Sequence, residues 1–349
     1  MKKVTIQDIA DALGISRNTV SKAINNSDGL ADATREKILQ KAVEMGYKQF
    51  SYVASLSGNS IPRLVPAGSS ECAMAASEIA LFTTKLSMMS NHFAVPMLDR
   101  LKHELSQLGY TLNIYKVDCE NLAQHTLPAS FAIERAGAIL CIEMFDQAYG
   151  EMLCGLGLPL LFIDGPHKRF GDSLPADQLY MDNTTGITKL VHEMLRKGKR
   201  KIGFIGDYEH CQSFFERYTA FRSAMILAGV PVDEAFCIKS NSTDMDASLA
   251  ALPELPDLFI CANDFIAVDA IQSLRKLGKS VSEDVLMCGF DDAPESRIMT
   301  PALTTIHIHT QIMAFSALQL LRSRMKEPSL DYRTVYTATE LIWRDSTRC

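Results

Sequence analysis

The chain has no apolar run close to the roughly 20 residues that a membrane-spanning helix needs. Its N-terminus is polar and lacks an apolar signal region, so the sequence predicts a cytoplasmic protein without a membrane partner. The nine cysteines are odd in number, scattered and never spaced Cys-x-x-Cys, which argues against a disulfide framework or a zinc site. We therefore expect no metal and no cofactor.

Short catalytic motifs are also missing. The sequence has no Gly-x-Ser-x-Gly, no His-Glu-x-x-His and no Walker loop. His307 and His309 alternate in a strand-like segment, where we expect them to share one face as surface or interface residues rather than ligands. The sequence therefore predicts a protein that is not an enzyme.

The charge is unevenly divided along the chain. The net charge is −6, yet residues 1–60 hold eight basic and six acidic side chains, and the remaining 27 basic and 35 acidic residues carry −8. A mildly basic N-terminal part on an acidic body would confine contact with phosphates to that part.

Residues 5–25 have the pattern of two short helices broken by a tight turn. Thr5 and Ser16 occupy the expected N-cap positions, and Gly14 can adopt the positive φ that the turn requires. Apolar residues recur at helical spacing, so the two helices can pack on each other. The residues of this shared face are Ile9, Leu13, Ile15, Val20 and Ala23.

The second of these helices leaves Arg17, Asn18 and Lys22 on its free face. Polar side chains at the start of such a helix are suited to base edges in a DNA groove. We predict a helix-turn-helix DNA-binding domain. The alternative is an ordinary helical hairpin with a solvated charged face, which would need no glycine and cap in this register.

The rest of the chain divides into a third helix, a linker and an alternating body. Residues 34–46 form a capped amphipathic pattern, and residues 51–77 are rich in Ser, Gly, Pro and Ala. From residue 79 onward, predicted strands alternate with predicted helices, which indicates two parallel sheets covered by helices. The predicted strands are 79–83, 112–117, 138–142, 158–163, 201–205, 257–261 and 285–288, and the predicted helices are 93–108, 185–196, 214–228 and 265–277.

The predicted fold is therefore an all-α three-helix helix-turn-helix head joined to an α/β core of two parallel-sheet lobes. We expect the head at 1–50, a linker at 51–77 with room for a short helix at its start, and the α/β core at 78–349.

Polar residues follow several predicted strands, where open parallel sheets bind ligands. Asp164 follows one strand, Asn263 and Asp264 follow another, and Asp291 and Asp292 follow a third, while Arg217 lies early in a helix. Carboxylates and a guanidinium can bind vicinal hydroxyls with paired hydrogen bonds, so these residues predict a polyol site. The alternative is that each aspartate simply caps the next helix.

Motifs in order along almost the whole chain closely resemble the LacI/GalR family of bacterial transcriptional regulators. They are Val4-Thr-Ile-Gln-Asp-Ile-Ala10, Val20-Ser-Lys-Ala-Ile-Asn25, Thr34-Arg35, Gly46-Tyr47, Leu108-Gly-Tyr110, Phe162-Ile-Asp164, Glu216-Arg-Tyr-Thr-Ala-Phe221, Ala262-Asn-Asp264, Gly289-Phe-Asp-Asp292, Pro301-Ala-Leu-Thr-Thr-Ile306 and Glu340-Leu-Ile-Trp-Arg-Asp-Ser346. The resemblance implies a homodimer that binds a pseudo-palindromic operator and is switched allosterically by a small molecule. It also implies that residues 51–77 are a hinge helix and extended linker. Residues 78–349 would then be an effector-binding and dimerisation domain of two periplasmic-binding-protein-like lobes, with crossovers near 177, 308 and 337.

The resemblance assigns roles residue by residue. Arg17, Asn18 and Lys22 would face base edges; Thr5, Ser16, Thr19, Ser21, Asn25 and Tyr47 would contact the DNA backbone or hold the head together; and Leu56 would wedge into the minor groove. The implied effector-contacting residues are Asn91, Phe93, Asp164, Ser213, Arg217, Asn263 and Asp291.

The chain departs from the family pattern at three places. Gln49 replaces the usual hinge proline, and Val53-Ala54 replace Ala-Arg, which removes a charge near the phosphates. The linker 58–77 is longer than is usual in the family. Residues 240–244 lack the aromatic on which some members stack a sugar ring.

The sequence therefore predicts an effector-controlled repressor of carbohydrate-utilisation genes that binds a sugar or sugar-derived ligand. The alternatives are a transcriptional activator, or a regulator that answers a non-sugar ligand. A transport protein with the same core fold would have no use for residues 1–50, and an enzyme acting on a sugar would need the catalytic pair that the sequence lacks.

Overall fold

The computed structural model describes residues 5–24, 34, 37–38, 41, 45, 78–84, 93–168, 173–239 and 245–348. The chain divides into two compact units. Unit 1 comprises Met1–Ile163, Leu174–Tyr180 and His309–Thr337, and unit 2 comprises Asp164–Ser173, Met181–Ile308 and Ala338–Cys349. Among the described residues, no helix is long and apolar enough to cross a membrane.

Two short helices, α1 (Ile6–Leu13) and α2 (Arg17–Ile24), open the described chain. Thr5 Oγ1 accepts a hydrogen bond from the Asp8 amide at 3.2 Å, and the Asp8 carboxylate accepts one from the Thr5 amide at 2.7 Å, which forms a capping box. Gly14 ends α1 at φ 64, and Ser16 Oγ accepts from the Thr19 amide at 3.1 Å. The predicted caps and turn are confirmed.

The shared apolar face of these two helices is also confirmed. Ile9, Val20 and Ala23 are buried together, and Leu13 and Ile15 pack against them while half-buried. Of the predicted third helix, Thr34, Lys37, Ile38 and Lys41 are helical where described, and Ile38 is buried. The linker predicted at 51–77 lies outside the described residues.

Unit 1 contains a six-stranded sheet in the order β11-β5-β4-β3-β1-β2. Its strands are β1 (Glu78–Thr83), β2 (Thr111–Lys116), β3 (Ala136–Ile142), β4 (Leu160–Ile163), β5 (Asp177–Met181) and β11 (Thr334–Thr337). The run from β2 to β5 is parallel, and its central strands are apolar and buried, as expected for a sheet covered on both faces. Besides α1, α2 and the helical residues of the predicted third helix, the described part of this unit has the α-helices α3 (Ala94–Gln107), α4 (Cys119–Gln124), α5 (Gln147–Cys154) and α11 (Thr310–Lys326).

Unit 2 contains a parallel sheet in the order β7-β6-β8-β9 and an antiparallel pair, β10 with β12. Its strands are β6 (Ile202–Ile205), β7 (Cys237–Ile238), β8 (Leu258–Cys261), β9 (Leu286–Cys288), β10 (Thr305–Ile308) and β12 (Thr339–Ile342). Its helices are α6 (Thr185–Arg196), α7 (Gln212–Leu227), α8 (Met245–Ala250), α9 (Asp264–Lys276) and α10 (Pro294–Ile298).

The predicted elements correspond to observed ones within a few residues, and the helix predicted at 185–196 coincides with α6. The expectation for His309 is wrong. β10 ends at Ile308, and His309 precedes α11 as a buried residue instead of sharing a strand face with His307. His307 Nδ1 lies 3.0 Å from a carboxylate oxygen of Asp292, so it belongs to a polar cluster of unit 2.

A buried ion cluster holds β5 to the C-terminal part of unit 1. The Asp177 carboxylate accepts hydrogen bonds from Arg324 Nε and Nη2, both at 3.0 Å, and from Arg333 Nη2 at 2.8 Å. Burial alone would raise the pKa of Asp177, but the bonds from Arg333 and Arg324 lower it below its usual value. β5 was not predicted from the sequence, because its first two residues, Asp177 and Gln178, are polar and a buried strand normally begins with apolar residues.

Replacement of Asp177 by asparagine should lower the free energy of unfolding by about 3–5 kcal/mol, because two arginines would lose their counter-ion inside the protein. Urea denaturation measures this. The matched control is Asp345→Asn, which breaks an exposed pair with Arg348 and should cost less than about 1 kcal/mol. Equal losses in the two variants would contradict the structural role of the cluster.

Candidate functional site

The free face of α2 carries the side chains predicted to contact bases. Arg17, Asn18 and Lys22 are exposed, while Val20 and Ala23 of the same helix are buried. An exposed polar face backed by a packed apolar face is the arrangement that a DNA-recognition helix requires.

Other residues predicted at the DNA interface surround this helix. Thr5 and Ser16 are exposed caps, and Thr19 and Ser21 are half-buried in α2. Asn25, Tyr47 and Leu56 lie outside the described residues.

A second polar cluster lies within unit 2, beginning with Asp164 and Ser213. Asp164 follows β4 directly in the sequence, has a φ of 53 and is buried. Ser213 is in the first turn of α7, is fully buried, and its hydroxyl donates to Asp164 Oδ1 at 2.6 Å. A positive φ is uncommon for residues other than glycine. At Asp164 this backbone conformation accompanies the hydrogen bond between its carboxylate and the Ser213 hydroxyl.

Arg217 lies one helical turn after Ser213 and on the same face of α7, because residues four apart are neighbours. Its Nε donates to Asn183 Oδ1 at 2.9 Å and its Nη1 donates to the Ala262 carbonyl at 2.7 Å. Its Nη1 also lies 3.8 Å from Asp291 Oδ1. The guanidinium is thus held by three separate segments of unit 2.

An aromatic ring completes the surroundings of this guanidinium. The Arg217 guanidinium carbon stands 3.5 Å from the centroid of the Phe290 ring, a cation–π contact. Phe290 precedes Asp291, so one short segment supplies both the ring and a carboxylate. We call Asp164, Asn183, Ser213, Arg217 and Asp291 the arginine cluster.

The structure therefore brings together four of the residues predicted to contact the effector, namely Asp164, Ser213, Arg217 and Asp291. Asn263 is next to Ala262, but its side-chain oxygen accepts from the Ile266 amide at 2.9 Å and caps α9, as in the alternative interpretation.

The last two residues predicted at the effector site, Phe93 and Asn91, are not part of unit 2. Phe93 lies in unit 1, where it precedes α3 and is buried. Asn91 lies outside the described residues.

Sequence reasoning missed Asn183 and Phe290. Asn183 lies two residues beyond β5, a strand that was not predicted, so the rule that ligands bind at strand ends was not applied there. Phe290 stands inside the motif Gly289-Phe-Asp-Asp292, and an aromatic flanked by a glycine and two carboxylates is the signal that could have identified it.

Two aspartates near these segments have structural roles. Asp292 accepts from Arg297, Arg344 and His307. Burial alone would raise the pKa of Asp292, but these partners hold it well below its usual value. Asp264 accepts from Thr305 Oγ1 at 2.6 Å and from the Ala293 amide at 2.8 Å, and burial raises its pKa to about 7.

The raised pKa of Asp264 predicts a pH-dependent stability. Below pH 3.8 both the folded and unfolded chains hold this proton; between 3.8 and about 7 only the folded chain keeps it, so stability is lost as the pH rises through that window. We expect Asp264 to lower the free energy of unfolding by roughly 3 kcal/mol between pH 5 and pH 8.

The Asp264→Asn variant should lack this loss, because an amide stays neutral and can still donate to Thr305 and accept from Ala293. Urea denaturation of both proteins at a series of pH values measures it. Parallel pH profiles would show that Asp264 ionises normally in the folded protein.

Comparison with known protein families identifies two regions. The family described as "Bacterial regulatory proteins, lacI family" matches residues 5–49, and the "Periplasmic binding protein-like domain" matches residues 191–347. The first region contains the helix pair with the exposed polar face, and the second contains Ser213, Arg217 and Asp291.

Similar proteins align along nearly the whole chain. The "Probable HTH-type transcriptional repressor ExuR" of Bacillus subtilis (strain 168) is 26% identical over 355 residues, which covers 99% of this chain and 98% of the relative. The "HTH-type transcriptional regulator GalR" of Lacticaseibacillus casei is also 26% identical over 355 residues, covering 98% of this chain and 99% of the relative.

Solved structures share the fold. The "transcriptional regulator CelR-cellobiose complex" superposes with a TM-score of 0.68 at 21% identity, covering 98% of this chain and 99% of the other. A lac repressor dimer bound to operator and the anti-inducer ONPF gives a TM-score of 0.67 at 18% identity and covers 100% of both chains.

A helix-turn-helix head on a body with two parallel sheets defines a DNA-binding transcriptional regulator, a class that acts by binding and not by catalysis. The chain combines a LacI-family helix-turn-helix domain with a periplasmic-binding-protein-like domain, and its homologues are LacI/GalR-type transcriptional repressors.

Proposed function

We propose that this regulator represses carbohydrate-utilisation genes and that a sugar or sugar-derived effector controls its hold on the operator. The observation that carries the proposal is the arginine cluster, in which two carboxylates, a hydroxyl and a guanidinium converge beside an aromatic ring. Paired acceptors and donors of this kind match the vicinal hydroxyls of a sugar.

The similar proteins also support a sugar as the effector. One structural neighbour is a complex with cellobiose, and another is a LacI-family regulator with bound ribose. We propose that Asp164, Ser213, Arg217 and Asp291 contact the effector directly. Asn91, Phe93 and Asn263 complete the proposed set.

The proposed DNA contacts follow the exposed face of α2. Arg17, Asn18 and Lys22 contact base edges of a pseudo-palindromic operator. The remaining predicted residues contact the DNA backbone or hold the head together. They are Thr5, Ser16, Thr19, Ser21, Asn25 and Tyr47. Leu56 enters the minor groove. We place the protein in the cytoplasm, where a regulator that binds DNA meets its operator.

The proposed domain plan is a head at 1–50, a hinge and linker at 51–77, and a ligand-binding and dimerisation domain at 78–349. Support for crossovers near 177, 308 and 337 comes from three of the five borders between the two units, which fall after Tyr180, Ile308 and Thr337; the other two fall after Ile163 and Ser173. Ligand binding in this plan changes the domain that joins the two heads of the dimer, and the heads then no longer match both half-sites.

The test is selection of bound DNA from a random pool, followed by release assays on the selected operator. The probes are cellobiose, D-ribose, D-glucose, D-galactose and D-glucuronate, which cover neutral and acidic sugars. We expect a two-fold symmetric motif and an altered operator affinity with at least one sugar. A selected motif whose binding no sugar changes would contradict the proposed effector class.

A further inference from the structure

Asn183 lies at the centre of the arginine cluster, although no sequence motif pointed to it. It is 1% exposed. Its Oδ1 accepts from Arg217 Nε at 2.9 Å, and its Nδ2 donates to Ser213 Oγ at 3.2 Å and to Glu216 Oε2 at 2.8 Å. One amide therefore joins both α7 residues that we propose contact the effector.

The amide of Asn183 has a single orientation that fits these partners. Both Nδ2 hydrogens are donated, one to a hydroxyl and one to a carboxylate, and the oxygen faces a guanidinium. A flipped amide would place its NH2 group against Arg217 and its oxygen against Glu216, which loses the bonds to both charged groups. Its donors are fully used by the protein, so Asn183 has none to offer a ligand.

The backbone around Asn183 is held on both sides. Asp182 Oδ1 accepts from the amides of Thr184 and Thr185 at 2.9 and 3.0 Å, and the Asp182 carbonyl accepts from Thr339 Oγ1 at 2.8 Å. The chain enters unit 2 at Met181, so Asn183 is near the start of this segment of the unit. Because the backbone is held in place, the side-chain amide of Asn183 can hold the neighbouring side chains of Ser213 and Arg217 in fixed positions.

We infer that Asn183 is a positioning residue for the effector site: its amide fixes the Ser213 hydroxyl and the Arg217 guanidinium in the geometry that accepts the ligand. The inference rests on the proposed function, because it concerns the same site. Glu216 assists by accepting the second Nδ2 hydrogen, and its other oxygen accepts from Gln212 Nε2 at 2.9 Å.

The first test is Asn183→Asp, which keeps the size of the side chain and the acceptor for Arg217. It removes both donors and sets a carboxylate beside that of Glu216. We expect the affinity for whichever probe sugar releases the wild-type protein from its operator to fall about 10-fold or more, with operator affinity unchanged in the absence of sugar. Isothermal titration and fluorescence anisotropy measure the two affinities.

The matched control is Asn121→Asp, the same substitution in unit 1. Asn121 accepts from the Asp118 amide at 3.3 Å and donates to Thr126 Oγ1 at 3.2 Å, so it also loses a donor. Its sugar affinity should equal that of the wild type. An Asn183→Asp variant that binds the sugar as tightly as this control would overturn the inference while leaving the proposed function intact.

A second variant separates positioning from a general defect in folding. In Asn183→Asp/Glu216→Gln, the new glutamine amide can donate to the aspartate, which removes the repulsion between the two carboxylates. We expect the double variant to recover at least about half of the lost binding free energy, because the contact is restored with reversed donors. Additive losses in the two single variants, with no recovery, would overturn the inference.

A third measurement needs no ligand. NMR of the ligand-free protein reports the exchange of the Arg217 Nε proton with water, which should be slow in the wild type and in Asn183→Asp because both retain an acceptor. In Asn183→Ala the exchange should be about 10-fold faster or more. Equal exchange in all three would overturn the inference. If no probe sugar binds the wild type, the proposed effector class fails and this measurement alone decides the role of Asn183.

Discussion

Replacement of Arg217 by lysine should lower effector affinity about 100-fold or more and leave operator affinity in the absence of effector unchanged. The Arg217 guanidinium donates buried hydrogen bonds to the Asn183 side chain and the Ala262 carbonyl, and it lies against the Phe290 ring. Lysine keeps the charge but lacks the planar fork and the Nε donor, so it cannot reproduce these contacts together. The operator affinity of the resulting protein would not change when sugar is added.

The matched control for this prediction lies five residues further along α7. Arg222 pairs with Glu234 at the surface, and Arg222→Lys should change neither affinity by more than about twofold. Isothermal titration with the releasing sugar and operator binding by anisotropy provide both values. A normal sugar response in Arg217→Lys would remove Arg217 from the effector site.

Replacement of Arg17 by alanine should weaken operator binding about 10- to 100-fold and relax the selected sequence at one position of each half-site. Arg17 is exposed in the first turn of α2, whose buried residues include Val20 and Ala23. A bidentate contact between arginine and guanine contributes about 1–3 kcal/mol of discrimination, which corresponds to this range. Selection from a random DNA pool, repeated with the variant, measures the change in motif.

Ser21→Ala is the comparison variant, because we propose that Ser21 contacts the DNA backbone. Its loss should weaken binding to all sequences alike and leave the selected motif unchanged. Binding by the wild type should also fall steeply with salt, since phosphate contacts release counterions. If Arg17→Ala and Ser21→Ala select the same motif as the wild type, Arg17 does not contact a base.

The head could be predicted because its determinants are local. Thr5, Gly14 and Ser16 act within four residues of their own positions, through caps and a left-handed turn. A short segment of sequence therefore contains all the groups that decide this structure. The structure confirms each of these contacts.

The ligand site could be predicted only in part because its contacts are long-range. Strand ends indicated Asp164 and Asp291, but Asn183 reaches Arg217 across 34 positions of sequence. The position of Asn183 depends on β5, whose first residue, Asp177, is buried and accepts hydrogen bonds from two arginines. Single-sequence patterns assign such an aspartate to the surface, since they do not show which cation will neutralise it.

The buried carboxylates illustrate the same limit. Asp264 and Asp292 each follow a strand, as the predicted ligand residues do, yet their oxygens accept hydrogen bonds from residues outside the arginine cluster, namely Ala293, Thr305 and Arg344. Asp291, beside Asp292, lies instead near Arg217. Adjacent residues with the same side chain thus differ in role because successive side chains point to different neighbours.

The most direct test of the whole account is a titration of the selected operator with the wild-type protein, with and without the releasing sugar, followed by the same titration with Arg217→Lys. We predict that sugar changes the operator affinity of the wild type at least about 10-fold and does not change that of the variant. A sugar effect that is equal in both proteins, or absent in both, would contradict control of the DNA-binding head from the arginine cluster.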